Sequence, residues 1–252
     1  MGTTANATVS VERALSKLGL ASRSQARQWI IDGRVTIDGA IVTNPSLRIV
    51  PERVAIVIDG HRGDRAAPIT IALHKPRGYV TTRSDPEGRK TVYDLLDDLP
   101  DRVIPVGRLD LATSGLLILT NDTQFANWLT DPASGIDRVY LVTAKGRATD
   151  DTSAQLVKGV MVDGERLSAA AALVRKASMR ESHLTVTLRE GKNREVRRLL
   201  KAAGHPVTQL RRVQFGGIEL GTLAPGKWRR IASEELRSAF PRYRSKREPR
   251  PK

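Results

Sequence analysis

The chain has 252 residues, of which 40% are hydrophobic, enough for one or two domains with a substantial core. It contains no cysteine, which excludes disulfides and thiolate metal sites and is typical of a cytoplasmic protein. No apolar run approaches the ~18 residues of a membrane span, and the first residues lack a secretory-signal pattern, so we expect a cytoplasmic protein without a membrane partner. Lys and Arg total 42 against 27 Asp and Glu, a net charge of +15 that favours a nucleic-acid partner.

Residues 1–60 are predicted to form a small module. Two stretches, VSVERALSKLGL and ASRSQARQWIIDG, have helical patterns. Each contains a serine that can cap the helix and a glycine that can end it. Short alternating strands follow, with a hairpin turn predicted at Asp38-Gly39. Residues 61–68 are polar and contain Gly and Pro, which indicates a linker.

Residues 69–240 show strands interleaved with helices but without a strict strand–helix–strand alternation. The pattern predicts an α+β domain with a mixed sheet. The apolar runs Val103–Val106 and Leu116–Thr120 are consistent with central buried strands, and VYDLLDDL with a short helix. Residues 241–252 are strongly basic and are predicted to be a disordered tail.

Between the two apolar runs, VGRLDLATSG carries a single carboxylate, Asp110. A carboxylate at the end of buried strands needs a cationic or hydrogen-bonding partner. The residue types support two interpretations equally: a functional carboxylate, or a side chain that bonds its own backbone in a turn with Thr113 and Ser114.

The predicted helix over 193–203 offers a partner for Asp110. Its buried stripe contains Val196, Leu199 and Leu200, and Arg197 lies at the edge of that stripe. Arg197 can therefore pair inward with the carboxylate, whereas three other cations point away and can face phosphates: Arg194, Arg198 and Lys201. A solvated basic face is the alternative interpretation.

The span 189–212 holds eight basic residues against two acids, a density that suits a groove following a phosphate backbone. Tyr140, on a predicted strand, can stack on an extruded base or be an ordinary core residue. No two histidines have metal-ligand spacing. The acids Asp97, Asp98 and Asp101 are better explained as a solvated helix end than as a metal site.

Several stretches, in order, resemble one family. HKPRGYVTT, SDPEGRKTV, VGRLDLATSGLLILTND, RVYLVT and LREGKNREVRRLL are similar to motifs of the ribosomal pseudouridine synthases of the RsuA/RluB group. Residues 9–59, including ASRSQARQWIIDGRVTIDG, resemble the RNA-binding module of the ribosomal-protein-S-four type that precedes the catalytic domain in that group. The resemblance implies an α+β fold: a small N-terminal module, then a catalytic domain over 69–240 with a mixed, largely antiparallel sheet flanked by helices.

The resemblance also implies an activity and its residues. Such enzymes detach uracil from its ribose, rotate the ring and rejoin it through carbon five, without a cofactor or a metal. Asp110 matches the catalytic aspartate, which attacks the anomeric carbon or removes a proton from the neighbouring ribose carbon. Tyr140 matches the stacking tyrosine, Arg197 the arginine that pairs with the aspartate, and Arg108 a residue that enters the RNA stack during base flipping.

The substrate implied is ribosomal RNA or an immature ribosomal subunit, with the large-subunit branch favoured by SDPEGRKTV and EGKNREVRR. We expect a monomer. The basic residues predicted to bind RNA are Arg13, Arg23, Arg27, Lys75, Lys192, Arg194, Arg198, Lys201, Arg211 and Arg212. Two alternatives are a non-catalytic ribosome-assembly factor with the same fold and, less well supported, a metal-dependent nuclease that uses Asp110.

Overall fold

A computed structural model of the chain describes residues 8–62, 67–96, 99 and 103–243. The contacts among α-carbons divide the chain into two units. One contains the part of the chain before Ile69 together with Asn121–Gln124, and the other contains Ile69–Thr120 and the part from Phe125 onward.

The first unit packs two helices, α1 and α2, against short strands around Leu15, Ile30 and Val35. The helices are α1 (Val11–Lys17) and α2 (Arg23–Ile31). The strands are β1 (Val9–Ser10), β2 (Val35–Ile37), β3 (Ala40–Ile41), β4 (Arg48–Ile49), β5 (Ile56–Ile58) and β6 (His61–Arg62). β1 pairs with β4, and the others form a sheet in the order β3-β2-β5-β6.

The first unit contains a helix cap and a hairpin turn that the sequence predicts. Ser22 caps α2 in a reciprocal capping box with Gln25. Asp38 and Gly39 both have positive φ and make the predicted two-residue hairpin turn between β2 and β3. The predicted linker was wrong at its start, because His61 pairs with Ile58 at the edge of the sheet.

The second unit is organised around one mixed sheet in the order β13-β14-β10-β15-β9-β7-β17, with β16 beside β15 and β8 beside β9. Only the β9–β15 pair is parallel among the described strands. This confirms the mixed, largely antiparallel sheet. Its strands are β7 (Thr70–Lys75), β8 (Ile104–Pro105), β9 (Ser114–Thr120), β10 (Arg138–Lys145), β13 (Ala171–Ala177), β14 (Glu181–Leu188), β15 (Val207–Phe215), β16 (Ile218–Glu219) and β17 (Trp228–Arg230), and β11 (Val160–Val162) and β12 (Glu165–Leu167) form a separate hairpin.

Helices cover this sheet, and both faces of its centre are buried. Leu117 and Leu119 of β9 belong to one core cluster, whereas Leu116 and Ile118 belong to another. Successive side chains of a strand point to opposite faces, which explains the unbroken apolar run of β9. The helices are α3 (Thr123–Thr130), α4 (Asp150–Lys158), α5 (Glu195–Ala202) and α6 (Ser233–Ala239).

Two predicted elements differ from the structure. Val103–Val106 contributes only the two-residue β8, and Ile104 is 39% exposed, so this run is not a central strand. VYDLLDDL forms a 3-10 helix over Val92–Leu95, capped by Thr91, and Asp97, Asp98 and Asp101 lie outside the described residues.

The predicted disordered tail was wrong at its start, at residue 241. The ring of Tyr243 lies 4.6 Å from that of Phe125 and 5.2 Å from that of Trp128, so the packed chain extends at least to Tyr243. Residues 244–252 lie outside the described residues. In the parts of the chain that the structure describes, every helix is too short or too polar to cross a bilayer.

Candidate active site

A cavity of about 230 Å³ opens on the second unit. It is bordered by the loop before β9, by β10 and β15, and by the segment that leads into α5. Asp110, Tyr140 and Arg108 all line it, so three residues that the sequence singled out converge on one cavity. Arg108 is exposed there.

Asp110 lies in the loop between β8 and β9, with its carboxylate available to the cavity. The backbone closes a turn, in which Thr113 N donates to the Asp110 carbonyl at 3.0 Å. The carboxylate Oδ2 lies 3.4 Å from Nη1 of Arg194. Among the described residues this is its one hydrogen bond, so the turn does not consume the side chain as the turn interpretation required.

Gly115 allows this loop to meet β15. β9 and β15 run parallel there, with Gly115 opposite Arg212. A Cβ at Gly115, which has a φ of +109°, would clash with the main chain of Arg212. Gly115 therefore allows β9 and β15 to approach each other closely.

Lys75 supports the Asp110 loop from inside the protein. Its ammonium is fully buried and donates to the carbonyls of Asp110 at 3.1 Å, Thr113 at 2.8 Å and Pro76 at 3.0 Å. Burial lowers the pKa of Lys75 to about 8, and the Asp110 charge opposes that shift. The prediction that Lys75 binds RNA was wrong, because its charged end is enclosed at the end of β7.

Arg197 also holds the loop, but it does so through the main chain. Its Nη2 donates to the Ala112 carbonyl at 3.1 Å and lies 3.5 Å from the Thr113 hydroxyl, while Nη1 donates to Val207 O at 3.3 Å. Arg77, which the sequence analysis missed, donates to the same Ala112 carbonyl at 3.2 Å. Burial and the charge of Arg194 lower the pKa of Arg197, and Asp110 raises it.

The ion-pair partner of Asp110 within the described residues is Arg194, not Arg197. The helical wheel placed Arg194 on the outer face, but α5 begins one residue later, at Glu195. Arg194 is the N-cap, with a left-handed φ of +48° that is uncommon for a side-chain-bearing residue. That conformation turns its side chain out of the helical arrangement and toward the carboxylate.

Tyr140 is a core residue that also lines the cavity. It is 8% exposed and packs in the core cluster of the second unit, yet it lines the cavity beside Asp110. Its neighbours across the sheet are Val186 on β14 and Arg212 on β15.

Glu195, which the sequence analysis did not single out, is a buried carboxyl in the same cavity. It is 3% exposed, and Oε2 accepts from the main-chain N–H of Lys192 at 3.1 Å. Burial, followed by the charge of Glu190, raises the pKa of Glu195 to about 7. As a charged residue outside the apolar stripe of the helix, it gave no sequence signal of burial.

The other predicted RNA-binding residues fall into three groups. Lys192 and Arg198 are engaged by acids, with Lys192 3.0 Å from Glu190 and Arg198 3.0 Å from Glu165. Arg212 is buried, so it does not present its charge on the surface. The remaining residues are exposed, with three on the helices of the first unit and two on the second: Arg13, Arg23, Arg27, Lys201 and Arg211.

No group of three or more potential metal ligands occurs within the described ranges of the chain.

Two family models match the chain. The model described as "RNA pseudouridylate synthase" matches residues 69–202, and the model described as "S4 domain" matches residues 12–54.

Individual proteins match over most of their length. A chain from Aquifex aeolicus, named "Uncharacterized RNA pseudouridine synthase", is 38% identical over 92% of this chain and 94% of its own. "Ribosomal large subunit pseudouridine synthase B" of Bacillus subtilis is 34% identical over 90% and 93%. "Ribosomal small subunit pseudouridine synthase A" of Escherichia coli is 34% identical over 86% and 94%. A solved structure titled "Crystal structure of pseudouridylate synthase" has a TM-score of 0.64 at 27% identity, covering 92% of this chain and 99% of that one.

Proposed function

Because the chain belongs to the RNA pseudouridylate synthase family and is a pseudouridine synthase, we propose that it isomerises one uridine of large-subunit ribosomal RNA. The observation that supports this most directly is the position of Asp110 in a cavity that Tyr140 also lines. The B. subtilis relative is named for the large subunit and the E. coli relative for the small one, at equal identity. The motifs SDPEGRKTV and EGKNREVRR favour the large subunit.

The cavity suits a base that has left the RNA stack. A uracil inside a helix exposes no path to its glycosidic bond, so it must be extruded into a pocket. Tyr140 provides the surface on which the ring stacks, and exposed Arg108 occupies the space that the base vacates.

Asp110 starts the reaction in this proposal. It either attacks the anomeric carbon or removes the proton of the neighbouring ribose carbon, and the uracil leaves through N1. The ring then turns and its carbon five bonds to the anomeric carbon, which frees Asp110 from that carbon or follows return of the ribose proton. Carbon five then loses its hydrogen to solvent and N1 takes up a proton, so the reaction is a net isomerisation. Lys75, Arg77 and Arg197 hold the loop, and Arg194 keeps a cation beside the carboxylate, so Asp110 needs little reorganisation before it reacts.

The exposed cations supply RNA affinity. Arg13, Arg23 and Arg27 on the first unit, with Lys201 and Arg211 on the second, carry charges that can contact phosphates. We place the reaction in the cytoplasm, where bacterial ribosomal RNA is made. We propose that the chain acts as a monomer.

The test is release of tritium from ribosomal RNA labelled at carbon five of its uridines. Large- and small-subunit RNA are supplied separately, both naked and as immature subunits, to the wild-type chain and to Asp110→Asn. We expect release from large-subunit RNA by the wild type, and a loss of at least about 1,000-fold in the variant with RNA affinity nearly unchanged.

Four other outcomes would change this proposal. Release from small-subunit RNA alone corrects the substrate. Turnover by Asp110→Asn refutes the role of Asp110. No release by the wild type from any of these substrates favours the assembly-factor alternative, and magnesium-dependent strand cleavage favours the nuclease.

A further inference from the structure

Arg212 occupies an unusual position for an arginine, on the floor of the cavity. It lies on β15 directly opposite Tyr140 of β10, and both residues line the cavity. It is only 2% exposed. A charge so placed is out of reach of the phosphates outside the cavity, yet adjacent to the ring on which a base would stack.

Two contacts fix the guanidinium of Arg212. Its Nε donates to the Leu116 carbonyl at 2.7 Å, a short bond to the neighbouring strand β9. Its central carbon lies 5.1 Å from the centroid of the Phe215 ring. The group is therefore held in one orientation before any substrate arrives.

One donor of this fixed group is unused. Nη2 of Arg212 is buried and has no hydrogen-bond partner among the described residues. Within the same part of the chain no carboxylate forms an ion pair with Arg212. Buried donors in native proteins are almost always paired, so an orphan donor that borders a cavity indicates a ligand atom that completes it.

Arg138 provides a comparison within the same cavity. It lies 5.0 Å from the same Phe215 ring, and its guanidinium donates to the carbonyls of Leu129, Ile136 and Arg189. The two arginines contact one aromatic ring, but Arg138 is committed to the main chain. Of these two arginines, Arg212 is the one with a buried side-chain donor that lacks a partner among the described residues.

We propose that Nη2 of Arg212 donates a hydrogen bond to a ring carbonyl of the extruded uracil and so makes Arg212 a specificity-determining residue. The inference rests on the proposed function. Uracil carries carbonyls at C2 and C4, whereas cytosine carries an amino group at C4, which cannot accept from a guanidinium. A fixed donor therefore favours uracil where it faces C4.

The rotation of the ring fits the same donor. The turn that exchanges N1 for C5 also exchanges the C2 carbonyl for the C4 carbonyl. A donor fixed at one side of the ring consequently meets a carbonyl both before and after the turn. Arg212 can satisfy reactant and product without moving.

A phosphate is a poorer occupant of this position. Arg108 is an exposed cation of the same cavity and is available to a phosphate, whereas Arg212 is buried and shares the lining with the apolar side chains of Val196 and Leu210. A neutral base with carbonyl acceptors suits the combination of an apolar wall and one spare donor.

The experiment replaces one carbonyl oxygen by sulfur, a poor acceptor. After the target uridine is mapped with the wild-type chain, 2-thiouridine or 4-thiouridine is placed at that position alone by splint ligation in the full-length RNA. The isomerised base is measured by chromatography of the digested target fragment, giving kcat/KM for each RNA.

For the wild type we expect a kcat/KM about 10-fold lower on at least one thio-substituted RNA. Arg212→Met should lose about 10- to 100-fold on the uridine RNA and show no further loss on the thio RNA, because the interacting donor is already absent. If Arg212→Met does not fold, the comparison of the wild type on uridine and thio-substituted RNA still tests the inference. Arg229→Met is the matched control, because Arg229 pairs with Glu235 outside the cavity, and its thio ratio should equal that of the wild type.

Two results overturn the inference. Equal wild-type rates on uridine, 2-thiouridine and 4-thiouridine would show that no carbonyl is read, whatever the variants do. An unchanged thio penalty in a folded Arg212 variant would assign the interaction elsewhere. If the wild type does not isomerise the unsubstituted RNA, the proposed function fails instead.

Discussion

The cations around Asp110 and the cations on helices α1 and α2 have the same chemistry but opposite environments. Lys75 and Arg212 are buried and bond to main-chain carbonyls, whereas Arg23 and Arg27 are exposed on one helix. The buried set shapes the loop and the cavity, and the exposed set is free to meet phosphates. Burial, more than residue type, therefore separates arginines that build a site from arginines that we propose to bind RNA.

The largest expected effect tests whether Arg194 and Arg197 have different roles. We expect Arg197 to stabilise the fold and support activity, and Arg194 to affect activity alone. Arg197→Met should lower kcat/KM about 100-fold and the free energy of unfolding by about 2 kcal/mol, because Val207 O and the Thr113 hydroxyl lose a donor and Ala112 O keeps only Arg77 among the described residues. Arg194→Met should lower kcat/KM about 10-fold but leave unfolding within about 0.5 kcal/mol, since Arg194 is half exposed. Tritium release and urea unfolding give the two quantities. Equal destabilisation by both variants would contradict the division.

Lys75 provides a pH test of the buried set. The pKa of Lys75 is about 8 in the folded chain against an ordinary value of 10.5. Between these pH values the unfolded chain binds more protons, so the contribution of Lys75 to the free energy of unfolding rises with pH. The difference between wild type and Lys75→Met should grow by up to about 3 kcal/mol from pH 8 to 10.5.

Urea unfolding at several pH values measures this difference, and Arg229→Met serves as the control whose difference from wild type should not follow that curve. At pH 7 Lys75→Met should also destabilise the chain, because three main-chain carbonyls lose a donor. A difference that stays constant or shrinks above pH 8 would show that the ammonium is not enclosed.

The exposed set is tested on RNA affinity. Arg23→Gln combined with Arg27→Gln should weaken binding about 10-fold, lower the salt dependence by one to two counterions, and leave kcat and unfolding unchanged. Filter binding at several salt concentrations gives both quantities. An unchanged salt slope would remove these residues from the RNA interface.

The smallest expected effect compares the RNA affinity contributed by two cations of α5, one exposed and one paired with acids. Lys201 is exposed, whereas Arg198 lies 3.0 Å from Glu165 and 3.4 Å from Asp163. Lys201→Gln should weaken RNA binding about threefold and Arg198→Gln less, because acids already offset the Arg198 charge. The reverse order would mean that RNA displaces those acids.

Local signals in the sequence were correct at most positions where the cause was local, although Ser10 makes no side-chain capping bond to α1. The capping serine of α2, the Asp38-Gly39 turn and the apolar run of β9 all depend on neighbouring residues, and the structure contains each of them. The ordered motifs around Asp110 and Tyr140 indicated the family, which the comparisons confirmed. Those two residues line one cavity, although their catalytic roles remain predictions.

The tertiary structure alone decided which cations serve which purpose. The helical wheel failed at Arg194, because a left-handed cap does not follow the rotation of a helix. Lys75 and Arg212 are buried only because β9 lies between β7 and β15, strands from distant parts of the chain. Pairing across 40 to 97 residues has no local signature. The sequence could therefore show that the chain is rich in arginine but not which guanidinium would face the substrate.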